Sequence, residues 1–266
     1  MAQFRELLAL LEELAPARLA ADWDNNGLMV GRPGAEVKKA ALALDPSPQA
    51  LQAAKDLGAD VLITHHPLIF KPLKKIDLDE PTAQALALAL KWDLAVACAH
   101  TSLDAAANGV SLVLANRLGL EAAEVLEPLS ETEGFGRLGR LPEPLPFTQL
   151  LKKVKRDLKL GGARFVPPRR ELVSVIAVMG GSGGSYAALA KARGADVLIT
   201  GDIGYHHARD AESLRIGLID AGHWGTERPV LEELAENLAR LAAEKSLDLD
   251  FQVLFFEEDP WHFMED

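Results

Sequence analysis

The chain has 266 residues, 48% of them hydrophobic and 25% charged, which is ordinary globular composition with enough length for a sizeable core in one or two domains. A single Cys excludes a disulfide framework and a Cys-built zinc cage. With 28 Lys and Arg against 39 Asp and Glu the net charge is −11, which makes nucleic acid an unlikely general partner because neutralising phosphates needs clustered cations; a local basic pocket stays open.

The opening residues, MAQFRELLALLEELAPARLAADWD, lack the basic start and unbroken apolar core of a signal peptide. Apolar spacing at Phe4, Leu7, Leu8, Leu11 and Leu14 instead predicts a helix over 3–15, stopped near Pro16. A short strand is expected at 40–44, turning at Asp45-Pro46-Ser47-Pro48 into a helix over 48–57. Val61–Thr64 (VLIT) is unbroken and apolar, as a buried parallel strand should be; a helix at 82–92, a strand at 94–99 and a helix at 108–118 follow. Residues 127–146 break this alternation with Pro, Gly and charges and are read as a connection. The rhythm then resumes: helix 147–158, strand 172–179, helix 185–193, strand 196–200, helix 206–214, strand 216–220, a long helix 227–245 and a last strand 252–256. No stretch reaches the roughly 18 apolar residues of a membrane helix, and a cytoplasmic setting is expected. Scarce Asn and Gln, abundant Ala, Leu, Glu and Arg, and Pro in loops lean toward a thermophilic source.

Alternating strands and helices predict the α/β class with largely parallel sheets covered by helices. An internal repeat refines this. LQAAKDLGADVLIT (51–64) matches AALAKARGADVLIT (187–200) at nine of fourteen positions, and CAHTSLD (98–104) aligns with AGHWGTE (221–227). Two related modules are expected, 1–126 and 147–266, joined by 127–146, with a metal site between them at strand C-terminal ends.

The chemistry gathers at those ends. Of seven His, six fall in four short segments: His65 and His66, His100, His206 and His207, and His223. All but the 206–207 pair directly follow a predicted parallel strand, where open α/β sheets place ligands. A lone His is most often a satisfied polar residue; clustering at strand ends in both repeats argues against that for the set. Pro67 holds His66 extended, so the adjacent rings point to opposite sides and suit two ions rather than one. Asp104 follows His100 by four, and Glu227 follows His223 by four, with Thr226 placed to cap a helix starting at Glu227. Imidazole and carboxylate without thiolate suit zinc, manganese, iron or cobalt. Gly180–Gly184 (GGSGG) fits neither a Walker loop nor a dinucleotide fingerprint; an anion cradle at a helix start and a plain tight turn are equally open. Trp23–Gly27 (WDNNG) reads as a turn, Trp224 as packing, and His262 as a tail residue unrelated to the site or reaching a neighbouring chain.

At WDNNGLMVG (23–31), ITHHPLIF (63–70), AHTSLD (99–104), GGSGGS (180–185), TGDIGYHHARDA (200–211) and DAGHWGTERP (220–229) the chain resembles the Nif-three-like dinuclear metal centre proteins, also called the GTP cyclohydrolase I type 2 family, nearly end to end. The resemblance implies metal ligands at His65, His66, Asp104, His223 and Glu227, holding two divalent ions (zinc, manganese or iron). His100 and His206 would lie beside the metals as general acid or base, and Asn26 receives no role. The short 127–146 segment resembles members without the inserted domain, which implies a homohexameric ring. A metal-dependent hydrolase of an anionic nucleotide or purine-like small molecule is expected, the alternative being a non-enzymatic metal-dependent binding or regulatory protein.

Overall fold

The computed structural model describes residues 2–264. In chain order its regular elements are β1 (Ala2–Gln3), α1 (Phe4–Leu14), β2 (Gly27–Val30), β3 (Glu36–Val37), β4 (Lys39–Ala43), α2 (Pro48–Leu57), β5 (Val61–Thr64), α3 (Pro81–Trp92), β6 (Ala95–Cys98), α4 (Thr101–Ala105), α5 (Val110–Arg117), β7 (Glu121–Pro128) and β8 (Gly134–Pro146). There follow α6 (Phe147–Asp157), β9 (Arg164–Val166), β10 (Leu172–Ser182), α7 (Ala187–Ala192), β11 (Val197–Gly201), α8 (Tyr205–Leu214), β12 (Gly217–Asp220), α9 (His223–Glu227), α10 (Val230–Glu244) and β13 (Asp250–Val253). They form two units. The first comprises residues 1–106 and 231–257; the second comprises 107–230 and 258–266.

The first unit is built on a five-stranded sheet in the order β13-β4-β5-β6-β2, parallel except for β2 at the edge. All four residues of β5 and of β6 are buried. Such all-apolar strands survive because helices cover the sheet. Leu51 and Ala54 of α2 and Ala85 and Ala89 of α3 pack with Ala41, Leu62 and Val96 of the strands. Local signals set the helix ends. Ser47 Oγ accepts from the Ala50 amide at 3.0 Å, Pro48 stands in the first turn, and Gly58 closes α2 at φ 72°.

The second unit carries a six-stranded mixed sheet, β7-β8-β10-β11-β12-β9. Its centre, β10-β11-β12, is parallel, while β7, β8 and β9 run antiparallel to their neighbours. One face packs Leu150 and Val154 of α6 and Leu114 of α5 against Ile176, Val178, Val197 and Ile199; the other packs Ala187 and Ala190 of α7 and Ala211 of α8 against Ala177, Leu198 and Leu218.

The repeat is structural. Gly58 and Gly194 both have positive φ (72° and 88°) between helix and strand. Asp60 then accepts from the amides of Lys38 and Lys39 at 2.8 and 3.0 Å, and Asp196 accepts from those of Ser174 and Val175, both at 3.0 Å. Each Gly-Ala-Asp thus ends a helix and ties its strand to the strand beside it.

Five expectations are corrected. Residues 127–146 are not a connection: most of them form β7 and β8, which read as irregular because their Gly and Pro serve turns and bulges. The division between the units does not follow 126/147, since α5 belongs to the second unit and α10 with β13 to the first. The parallel character expected of both sheets holds for the first, while the second is mixed. The long helix expected over 227–245 is two helices, because Pro229 cannot supply the backbone donor that would continue α9 into α10. The last strand spans Asp250–Val253 rather than 252–256.

Candidate metal centre

In the first unit the parallel strands end where polar residues begin. β4 leads to Asp45, β5 into His65 and His66, and β6 to His100. Each imidazole is held at Nδ1. His65 Nδ1 donates to the Ala99 carbonyl at 2.9 Å, His66 Nδ1 to Asp45 Oδ1 at 2.8 Å, and His100 Nδ1 to Asp24 Oδ1 at 2.7 Å. Donation to a carbonyl or carboxylate fixes the tautomer, so Nε2 carries the lone pair that a metal takes. The adjacent rings of His65 and His66 anchor on opposite neighbours of β5: one on the segment after β6, the other on the segment after β4. One nitrogen from each of His65, His66 and His100 lies within 4.8 Å of the other two. Asp104, in α4, brings Oδ1 to 3.6 Å from His65 Nε2.

The Trp23–Gly27 loop has a role the sequence did not reveal. Asp24, its side chain inaccessible, also accepts from the Thr101 amide at 3.0 Å, from the Thr101 hydroxyl, and from Asn26 Nδ2 at 2.5 Å. Burial alone would push its carboxyl up; the hydrogen bonds from His100, Thr101 and Asn26 prevail and hold it at about 2. Asn26, given no role from sequence, accepts from the His100 amide at 2.7 Å and the Ser102 hydroxyl at 3.1 Å. The loop is a bracket for His100, whose own pKa is lowered chiefly by burial, against the pull of Asp24. Glu257, past the end of β13, accepts from the amides of Leu44 at 2.7 Å and Asp45 at 3.0 Å, so it steadies the segment that carries the partner of His66.

In the second unit, β11 runs to Gly201-Asp202 and β12 to Gly222-His223. His223 Nδ1 donates to Asp202 Oδ2 at 2.7 Å, and its Nε2 lies 3.0 Å from Oε2 of the buried Glu227, one turn on in α9. The helix starts at His223, so Thr226 lies inside it and does not cap it; its hydroxyl bonds back to the Gly222 carbonyl at 2.9 Å and accepts from the Gly181 amide at 3.0 Å.

The 180–184 loop resolves toward packing rather than an anion cradle. Three of its five amides are taken by hydroxyls: Gly180 by Ser111 at 3.3 Å, Gly181 by Thr226 and Gly183 by Thr200 at 2.8 Å. A Cβ on Gly181, at φ 61°, would stand 2.2 Å from Glu227 Oε1. Only glycine lets this strand end run so close beneath the carboxylate.

Of the expected residues, the structure groups His65, His66, His100 and Asp104 in the first unit, and His223 with Glu227 in the second. His206 is exposed at the start of α8, its ring 5.4 Å from that of Tyr205, and belongs to neither group. Sequence reasoning missed Asp24, Asp45 and Asp202, although Asp45 and Asp202 each lie just past a strand end. Clusters of His, Asp and Glu suited to divalent ions are present. Imidazoles with Nδ1 engaged, beside carboxylates and without thiolate, fit zinc, manganese or iron.

Known proteins match this chain nearly end to end. The family model for Duf34/NIF3 (NGG1p interacting factor 3) matches residues 2–260. A GTP cyclohydrolase 1 type 2 homolog from Streptomyces coelicolor is 34% identical over 268 residues, covering 98% of this chain and 94% of the relative. Another from Clostridium perfringens is 30% identical over 266 residues, covering 98% and 100%. The crystal structure of a Bacillus cereus protein related to NIF3 matches with a TM-score of 0.95 at 26% identity, over 99% of this chain and 100% of the other.

Proposed function

This chain belongs to the Duf34/NIF3 family, and from that premise we propose that it is a metal-dependent hydrolase working with two divalent ions on a nucleotide or other anionic, purine-like small molecule. The observation that carries the reading is the treatment of the imidazoles: His65, His66, His100 and His223 are each locked at Nδ1. A core that needed only satisfied histidines has no reason to orient four Nε2 atoms in this way. The metal ligands are His65, His66, Asp104, His223 and Glu227, the residues on which the family resemblance and the strand-end positions agree.

Bound divalent ions supply Lewis acidity and an acidified water at neutral pH. The chain's residues do the rest. Asp104, partly exposed, and the buried Glu227 contribute negative charge against the ions. His100, fixed by Asp24 at Nδ1, keeps Nε2 for moving a proton to or from substrate, whereas His206, outside both groups, has no such placement to support it. The curated relatives bear the name GTP cyclohydrolase 1 type 2 homolog, so hydrolytic opening of a purine imidazole ring is the first reaction to assay. A cytoplasmic homohexamer completes the proposal; light scattering in solution tests its oligomeric part. Among the described residues no helix is long and apolar enough to cross a membrane.

The test is elemental analysis and turnover together, on protein purified without chelators. Wild type should hold about two divalent ions per chain and hydrolyse a member of a nucleotide and phosphoester panel faster than free metal does. Asp104→Ala should lose metal and turnover together. Full turnover in that variant overturns the mechanism; metal without any turnover favours a metal-dependent binding protein.

A further inference from the structure

The acidic chain holds a strongly basic hollow in its second unit. Its volume is about 360 Å³, and it is lined by Arg169, Arg170, Lys191 and Arg215, with a single carboxylate among the described residues, Asp196. The cations arrive from three pieces of chain: Arg169 and Arg170 from the segment between β9 and β10, Lys191 from α7, and Arg215 from the end of α8. Asp196 precedes β11 and Arg215 lies just before β12, so the hollow sits at the opposite end of these parallel strands from Asp202 and His223. Pro167 and Pro168 stiffen the 167–170 segment. Pro168 rests on the start of β12: a Cβ on Gly217 would stand 3.1 Å from both its Cβ and its Cδ.

Little in the fold answers these charges. Asp196 gives Oδ2 to the amides of Ser174 and Val175, and its Oδ1 lies 3.8 Å from Arg170. Among the described residues the side chains of Arg169, Lys191 and Arg215 make no ion pair, and all three are exposed. Glu212, one turn before Arg215, is held by Arg209. The helix C-terminal ends account for one cation each, Lys191 on α7 and Arg215 on α8, but not for the two arginines between β9 and β10. Arg215 stands at φ 59°, in the left-handed region where Gly58 and Gly194 follow α2 and α7. An L side chain takes that conformation at a cost, so the backbone gives no reason for an arginine there. The internal repeat points the same way. Lys191 matches Lys55, but the acid beside Lys55, Asp56, is replaced by Ala192.

Four cations against one engaged carboxylate repel each other until an anion enters. Three of the four are arginines, whose planar forks match phosphate oxygens in pairs. The volume lies at the lower end for small-molecule sites. We propose that this hollow binds a short oligophosphate, a di- or triphosphate group, at a site separate from the metal centre. Several charges on one ligand engage cations from all three pieces of chain at once, which a monoanion cannot. The proposal does not rest on the hydrolase reading.

Calorimetric titration of the chelator-treated chain with inorganic tripolyphosphate tests the site, since bound metal would itself attract phosphate. Wild type should bind tripolyphosphate about ten-fold more tightly than sulfate or better, and less tightly as sodium chloride is raised. Arg215→Gly and Arg169→Gln should each weaken binding about ten-fold. Arg215→Gly removes the cation from a backbone position that suits glycine, so its Tm should not fall and the lost affinity is not a loss of fold. Lys152→Gln, exposed on α6 and outside the lining of the hollow, should change nothing. A free oligophosphate and the tail of an organic triphosphate share this chemistry, and a parallel titration with adenosine triphosphate separates them. Equal affinity supports recognition of the phosphate chain alone, and tighter nucleotide binding that Arg215→Gly still weakens supports recognition of a tail. No binding by wild type, binding no tighter than that of sulfate, or binding that Arg215→Gly and Arg169→Gln leave unaltered overturns the site. An equal loss in all three variants, Lys152→Gln included, also overturns it, as a general response to charge.

Discussion

An imidazole gives one nitrogen to a metal, so the partner of its other nitrogen decides how well it gives it. Asp45 and Asp202 occupy that second position for His66 and His223, while His65 uses the carbonyl of Ala99. Asp202→Asn keeps the shape and removes the charge, and should weaken divalent-metal affinity about 10- to 100-fold with the fold intact. Competition against a chromophoric chelator measures this, and unchanged affinity would remove Asp202 from the site. Asp24 makes a different prediction, in pH. Its folded-state carboxyl sits at about 2, below its ordinary value, because the hydrogen bonds of His100, Thr101 and Asn26 overcome the effect of burial. A depressed acid stabilises the fold above its unfolded pKa, and that contribution is lost as pH falls through the folded one. The stability gap between wild type and Asp24→Asn should therefore be full at about pH 6 and shrink between about pH 4 and pH 2. Urea unfolding across that range checks it; a gap independent of pH counts against the bracket around His100.

At the scale of elements, the β7–β8 hairpin shows how polar groups are managed inside the second unit. Arg137 is 2% exposed, and its guanidinium donates to the carbonyls of Gly134 and Gly136, both at 2.9 Å, Ala107 at 3.0 Å and Thr132 at 3.2 Å. Burial pulls its pKa down, yet the carbonyl ring keeps the cation solvated by backbone. One side chain thus ties the hairpin turn to the segment before α5. Arg137→Ala leaves those carbonyls without the donor and should cost about 2–4 kcal/mol of stability. Chemical denaturation gives the number, and a loss below about 0.5 kcal/mol, the size of an ordinary surface change, would show that water replaces the guanidinium freely.

At the scale of the whole chain, the proposed ligands run from His65 to Glu227. A metal that binds only the folded chain stabilises it by mass action, about 2.7 kcal/mol at a free concentration one hundred times the Kd. For a chain of this length that is a rise in Tm of about 5–10 °C. Thermal melts before and after chelation, and again after zinc, manganese or iron is restored, should show the loss and the recovery. Identical melts in all three states would mean that the ligand groups do not bind metal in the folded chain.

Much of this was legible in the residues. α2 and β5 have the bounds expected of them, because Ser47, Pro48 and Gly58 act within a turn of where they stand and VLIT is an unbroken apolar run. The strand-end histidines were legible for the same reason: a buried parallel strand must stop where polar groups begin, and that boundary is written in consecutive residues. Three features were not. The strand character of β7 and β8 lies in pairing with each other and with β10, and Pro and Gly disguise it locally. β13 joins the first unit through register with β4, Asp250 opposite Lys39, across more than two hundred residues. Asp24 reaches His100 across 76 positions and Asp45 reaches His66 across 21. Periodicity and capping are short-range physics, so the sequence by itself determined most of the helices and the buried parallel strands, and the chemical character of their ends. Edge pairing, the membership of α10 and β13 in the first unit, and the carboxylates behind each imidazole depend on hydrogen bonds between residues distant in the chain, and only the tertiary structure decided them.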